Sequence, residues 1–179
     1  MIKLSEIAEL IDAECLGIPS SDIDTNKLII DSRSMVQGQG NIFVALDGNI
    51  HDGHLFAEEA YQKGIRNFIV TQKPENILSD ATYFVVSDTI QAIQHLAKER
   101  LKRSNLEHTI AITGSNGKTI VKEWLFQLLN PDFKIARNPG SYNSQIGVPL
   151  SVWQIDTQHT IGIFEAGISV GKMFYRLTQ

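Results

Sequence analysis

The stretch 108–120, H-T-I-A-I-T-G-S-N-G-K-T-I, limits what this chain can fold into more than any other. An apolar run with β character, Thr109 to Ile112, passes into a glycine-rich turn, and Lys118 and Thr119 then open an amphipathic helix. A strand that turns directly into a helix in this way builds a cradle for phosphate. Backbone N–H groups of the turn and of the helix N-terminus face an anion, and the helix dipole favours negative charge there. The expected binding loop comprises Gly114, Ser115, Asn116, Gly117, Lys118, Thr119 and Ile120, with ATP as its ligand. Lys118 adds a mobile positive charge for the β- and γ-phosphates, and the Thr119 hydroxyl can ligate Mg²⁺. The spacing is shorter than the common G-x-x-x-x-G-K-[ST], because Ile112 stands where the first glycine belongs. A plain glycine-rich turn with a surface lysine is the alternative. It does not explain why a Lys-Thr pair opens the helix.

Around this motif the chain alternates β and α signals, which predicts an α/β fold with parallel sheet and helices on its faces. Ser5 is expected to cap a first helix with Ile7, Leu10 and Ile11 on one face, and short strands are expected near Cys15 and at 28–30 and 42–46. A polar loop at 47–54 opens a helix over 55–63 that stops at Gly64, and strands follow at 68–70 and 83–86. Asp88 caps a helix reaching 103, and the polar segment 102–107 is the best linker. Beyond the phosphate loop, Val121, Trp124, Leu125, Leu128 and Leu129 give the next helix its apolar face, ended by Asn130 and Pro131. A strand at 133–136, a helix over 144–153 bent by Pro149, and a strand at 160–164 complete the pattern. The expected domains are 1–104 and 105–179, the second incomplete for an ATPase domain.

Composition narrows the functional classes. A net charge of −4 over 179 residues offers no basic face for a nucleic-acid backbone, so a nucleotide is the expected phosphate ligand. No run approaches the roughly 18 apolar residues of a membrane span. The N-terminus lacks a signal-peptide pattern, and the single Cys15 fits a core thiol; a cytoplasmic location is expected.

Glu165 ends the apolar strand I-G-I-F, and ligands of open α/β sheets bind at the carboxyl ends of strands. A carboxylate there can share a Mg²⁺ with Thr119, or can be a plain exposed strand end. The turn 138–147, N-P-G-S-Y-N-S-Q-I-G, lies at the same edge. Asn143, Ser144 and Gln145 can bond substrate or phosphate oxygens or simply cap the helix that begins there, capping suiting Ser144 better than Asn143. In the first half, Arg33 of D-S-R can pair with phosphate or with its neighbour Asp31. His51 and His54 straddle Asp52 without zinc-site spacing, which favours a structural or ligand hydrogen-bonding role.

Four strings, taken together, resemble the Mur ligases of peptidoglycan synthesis. D-S-R-S-M-V-Q-G-Q-G-N-I-F-V-A-L-D-G-N-I-H-D-G-H-L-F (31–56) looks like that family's uridine-nucleotide-binding N-terminal domain, and T-G-S-N-G-K-T like its short ATP loop. S-Y-N-S-Q-I-G-V-P-L-S looks like its following substrate loop, and F-E-A-G-I-S like the strand ending in a metal-binding Glu. The last two also resemble versions fused to an alanine racemase. The resemblance implies a small mixed α/β uridine-nucleotide domain followed by a truncated P-loop parallel-sheet ATPase domain. It implies ATP and Mg²⁺ as cofactors and UDP-N-acetylmuramoyl-tripeptide and D-alanyl-D-alanine as partners, with neither nucleic acid nor membrane. Ser32, Arg33, Asn49, His51, Asp52, Gly53 and His54 would line the uridine-nucleotide site. Asn143 and Ser144 would face the reacting end, Lys118 and Glu165 would serve catalysis, and Thr119 and Glu165 would position the metal. The chain is expected to bind nucleotide but not to ligate by itself, because the family continues beyond it. A folylpolyglutamate synthase-like ligase and a non-catalytic uridine-nucleotide module are the competing readings.

Overall fold

The computed structural model describes residues 1–20, 22–31, 33, 38–48 and 52–167. They form an α/β protein whose contacts divide it into two compact units, Met1–Ala92 and Ile93–Gln179. The division falls within helix α3 (Thr89–Lys102), ahead of the 104/105 position read from the sequence. The segment 102–107 is a short connection: the Ser104 hydroxyl donates to the Leu101 carbonyl (2.6 Å) and Leu106 is half-buried.

The first unit is a five-stranded sheet in the order β1-β5-β4-β3-β2. Strands β2 (Leu28–Ile29), β3 (Ile42–Val44), β4 (Asn67–Val70) and β5 (Thr82–Val85) are parallel, and β1 (Glu14–Leu16) closes one edge antiparallel. The near-continuous apolar runs of β3 and β4 are buried at every position, as a parallel sheet covered on both faces requires. Register aligns one row across all five strands: Leu16, Tyr83, Phe68, Phe43 and Ile29. Phe68 stacks on Tyr83 with centroids 5.0 Å apart and meets Phe43 edge-on at 6.3 Å. Such pairs add about 0.5–1.5 kcal/mol each beyond burial, so burial itself carries most of the row's weight. Ala57, Ala60 and Tyr61 of α2 (Ala57–Gln62) belong to this core, and α2 stops before Gly64, whose φ of +94° is the left-handed cap expected there.

The N-terminal helix starts differently from the expectation. Ser5 is not its cap: a 3₁₀ turn (Leu4–Glu6) precedes α1 (Ile7–Leu10), and the Lys3 N–H donates to Glu6 Oε2 at 2.8 Å. Lys3 is held extended by its bridge to Asp24, which moves the first turn one residue ahead of Ser5. Ile7 and Ile11 are buried as expected.

The second unit has three parallel strands in the order β6-β8-β7: β6 (His108–Ile112), β7 (Ile135–Arg137) and β8 (Ile161–Glu165). Helices α4 (Lys118–Leu129) and α5 (Gly147–Trp153) connect them. Ala97, Ala136, Val148, Val152, Ile155 and Phe164 form its core. Pro149 does not bend α5. The helix begins only at Gly147, so the proline sits in its first turn, where its missing N–H leaves no bond unmade.

The apolar face of α4 is only partly buried. Val121, Trp124 and Leu128 are exposed, Leu125 and Leu129 are half-buried, and the fully buried residue of the helix is Lys122. β6 is an edge strand with exposed positions, so the sheet covers only part of the apolar arc on α4. Among the described residues no helix is long and apolar enough to cross a membrane.

The two tryptophans differ sharply, Trp124 being 63% exposed and Trp153 3%. Trp153→Phe should therefore leave red-shifted emission readily quenched by acrylamide, and Trp124→Phe should leave blue-shifted, protected emission. Equal quenching in the two variants would contradict the placement of α4.

Candidate functional site

The pairing of β6 with β8 sets Ile112 opposite Glu165, so the glycine turn and the strand-end carboxylate emerge at the same sheet edge. Gly114 (φ +142°) and Gly117 (φ +77°) take conformations that side chains rarely adopt, although a Cβ at either would meet nothing within 4 Å. Backbone conformation, not crowding, asks for glycine here, and the turn remains open on its outer side. Gly117 is the N-cap of α4 and no side chain caps that helix, so its first N–H groups remain available to an anion. Lys118 is folded back, its Nζ donating to the Gly114 carbonyl at 2.7 Å. Ser115 and Asn116 are exposed on the turn, and Ile120 is exposed on the helix behind it.

Glu165 is not an exposed strand end; it is 1% accessible. Thr119 Oγ1 donates to its Oε2 at 2.8 Å and Asn143 Nδ2 to its Oε1 at 2.6 Å. The structure thus brings together Thr119, Glu165 and Asn143. Ser144 is exposed, and its hydroxyl accepts the Gly147 N–H at 2.9 Å, the capping alternative at the start of α5.

Two residues at this edge were not anticipated. Asn138, fully buried, accepts the Glu165 N–H on Oδ1 (2.9 Å) and donates from Nδ2 to the Glu165 and Tyr142 carbonyls (2.8 and 2.7 Å). Lys122, also fully buried, donates to the Asn138 carbonyl (2.8 Å) and to that of Gly140, with its Nζ 3.8 Å from Glu165 Oε2. A lysine inside I-V-K-E-W-L reads as a solvent-facing residue. The available signal was helix phase, since position 122 lies three residues after Thr119 and shares its face.

This donor set fits a hard divalent cation bound along with phosphate. Thr119 gives its proton to Glu165, which leaves its oxygen lone pairs for a cation, and Glu165 adds a carboxylate. No group of three or more His, Cys, Asp or Glu that could hold a metal occurs among the described residues. One hydroxyl and one carboxylate, completed by phosphate oxygens and water, is how Mg²⁺ is commonly held.

In the first unit, a polar cluster occupies the carboxyl edge of the sheet. Arg33 forms the local pair with Asp31, Nη2 to Oδ2 at 2.8 Å and Nε to Oδ1 at 3.0 Å, and these bonds pull the Asp31 carboxyl down to about 2. The Arg33 side chain is otherwise exposed. Asp52 Oδ1 accepts the backbone N–H of His54 (2.9 Å) and lies 2.6 Å from its Nδ1, while the Thr71 N–H donates to His54 Nε2 at 3.0 Å. Nε2 is therefore the unprotonated nitrogen, and Nδ1–H faces Asp52. Gly53 passes so close to Leu46 that a Cβ would lie 2.6 Å from the Leu46 nitrogen. Ser32, Asn49 and His51 lie outside the described residues.

A parallel sheet that sets a Gly-Lys-Thr turn beside a buried strand-end carboxylate defines a P-loop type of α/β domain. Residues 25–113 match the catalytic domain of the Mur ligase family, and residues 112–179 match the Mur ligase middle domain. The chain belongs to the Mur ligase family. It is 30% identical over 171 residues to the UDP-N-acetylmuramoyl-tripeptide–D-alanyl-D-alanine ligase of Bacillus subtilis, covering 94% of this chain and 37% of that protein. The Treponema pallidum protein of the same name is 35% identical over 147 residues, 78% of this chain and 32% of that one. A crystal structure of MurF from Acinetobacter baumannii superposes with a TM-score of 0.81 at 26% identity, covering 92% of this chain and 35% of that one. MurF ligase from Thermotoga maritima in complex with ADP gives a TM-score of 0.70 at 31% identity, covering 81% and 33%. The chain spans about a third of the length of the relatives it matches.

The His54 backbone and side-chain bonds hold the Asp52 carboxyl below its ordinary value. Its contribution to stability is then complete above the unfolded carboxylate value and lost as pH falls through the lowered folded one. Asp52→Ala should lower the urea midpoint at pH 7, and the difference should shrink progressively as pH falls below the ordinary carboxylate range. A midpoint difference that persists unchanged in acid would contradict this.

Proposed function

We propose that this chain carries the uridine-nucleotide-binding and ATP-phosphate-binding parts of a cytoplasmic ligase that joins D-alanyl-D-alanine to UDP-N-acetylmuramoyl-tripeptide. The observation that carries the reading is the Thr119–Glu165 hydrogen bond at 2.8 Å, beside an open glycine turn at the same edge. Relatives named for this reaction, matched along most of the chain, support the substrate assignment. When bound, Mg·ATP would supply the phosphoryl group that converts the tripeptide carboxylate into an acyl phosphate with release of ADP, and the dipeptide amine would attack its carbonyl carbon, forming the amide and releasing phosphate.

The chain's own residues serve that reaction by binding and orientation. The N–H groups from Gly114 to Ile120 hold phosphate oxygens, and Lys118 exchanges the Gly114 carbonyl for a phosphate, where its charge offsets negative charge on the transferring group. Thr119 and Glu165 hold Mg²⁺, and Asn143 fixes the carboxylate plane from its other oxygen. Asn143 and Ser144 begin the surface that meets the reacting end of the UDP-sugar peptide. Arg33, Asp52, Gly53 and His54, together with Ser32, Asn49 and His51, form the uridine-nucleotide surface. The Asp52–His54–Thr71 bonds hold residues 52–54 in place.

Isothermal titration of ADP with Mg²⁺ into the chain should show binding. Lys118→Ala should weaken it about tenfold or more, the weight of one charge-assisted hydrogen bond of roughly 1.5–3 kcal/mol. A folded chain that binds no ADP at millimolar concentration, or binds it equally well without the Lys118 side chain, overturns the phosphate-loop reading.

A further inference from the structure

Lys122 is the one charged side chain of α4 that is fully buried, and the phosphate-binding reading gives it no task. An ammonium group removed from water is costly unless its surroundings replace the lost hydration. Here they do. Two carbonyls of the turn after β7, those of Asn138 and Gly140, accept its protons, and the carboxylates of Glu165 and Glu123 lie 3.8 and 3.7 Å away. Glu123 is half-exposed and engaged by Arg137, whereas Glu165 is as buried as Lys122 itself. The nearest equally buried opposite charge is therefore Glu165. A buried pair is tolerable, while either member alone is not.

The position of the ammonium has a second consequence. The same turn supplies Asn138, whose side chain grips both backbone groups of Glu165, and leads into Asn143, which holds Glu165 Oε1. Lys122 thus binds the turn by its carbonyls and faces the carboxylate by its charge. Thr119 stands one helical turn earlier on the same face.

We propose that Lys122 is a positioning residue of the phosphate and metal site, a fixed counter-charge that keeps the Glu165 carboxylate turned toward Thr119 and the Asn138–Asn143 turn in register with it. This rests on the reading of Thr119 and Glu165 as the cation's holders. Lys122 does not touch the nucleotide. Its effect reaches the cation through Glu165, so it governs metal-dependent and not metal-free nucleotide affinity.

The test is a double-variant cycle with Lys122→Met, which keeps length and removes charge, and Glu165→Gln. Mn²⁺ binding in the presence of ADP is read by electron paramagnetic resonance, ADP affinity in EDTA by calorimetry, and urea midpoints by circular dichroism. Lys122→Met should weaken Mn²⁺ binding with ADP about tenfold while leaving ADP affinity in EDTA within about twofold. On the Glu165→Gln background it should weaken Mn²⁺ binding no further. Its urea midpoint should fall, and adding Glu165→Gln should raise it again, because the unpaired buried carboxylate is then gone. Mn²⁺ binding unchanged by Lys122→Met, or ADP affinity in EDTA lost by the same factor, overturns the proposal. If the unsubstituted chain binds no ADP at all, the phosphate-loop reading fails instead, and the urea cycle still decides whether Lys122 and Glu165 are coupled. Should Lys122→Met fail to fold, recovery of a folded double variant supports the pairing, and failure of both overturns it.

Discussion

The carboxylate of Glu165 is the constraint around which the second unit is arranged. A charged group at 1% exposure is stable only if donors and an opposite charge surround it, and no single element of the chain can provide them all. Thr119 and Lys122 come from α4, Asn143 and Asn138 from the turn after β7, and the carboxylate itself from the end of β8. The described residues leave no buried side-chain nitrogen or oxygen without a partner, so this network is complete and not half-made.

The first unit solves a related problem with a different balance. Its five-strand row of Leu16, Tyr83, Phe68, Phe43 and Ile29 makes a rigid apolar platform. Residues 52–54 beyond β3 are held by local ties: Asp52 to His54, His54 to Thr71, and Gly53 packed on Leu46. A histidine with its Nδ1 proton toward an aspartate and its Nε2 occupied by a backbone N–H is spent on tying Asp52 to Thr71. Ligand groups at this edge would meet backbone and neighbouring side chains presented by residues 52–54, which is the usual division of labour between scaffold and loop.

Much of this architecture was legible in the sequence, and for identifiable reasons. Buried parallel strands leave continuous apolar runs, and F-I-V (68–70) and Y-F-V-V (83–86) are two of them. Gly64 and Asp88 carry their own stop and start signals, and Asp88 does accept the Ile90 and Gln91 N–H groups. Helix ends read less well where tertiary contacts override local preference. Lys3 displaced Ser5 as the first cap because a bridge to Asp24 fixes its backbone, a contact 21 positions along the chain. The G-x-x-G-K-T turn and Glu165 were legible because a strand end and a helix start locate each of them on the same sheet edge. Asn138 was not, since an asparagine before proline reads first as a turn former.

The misread face of α4 is the most instructive difference, because it shows which kind of residue sets a helix's rotation. Apolar spacing alone turns Val121, Trp124 and Leu128 toward the sheet, yet these are exposed and Lys122 is buried. Thr119 must reach Glu165, and position 122 follows it on the same face, so the rotation of the helix is fixed in its first turn by a polar bond. Once that phase is set, the apolar residues go where it carries them. A helix that opens at a binding loop answers to the geometry of the loop before it answers to its own hydrophobic pattern. The rotation of such a helix is better read from its first two residues than from its middle.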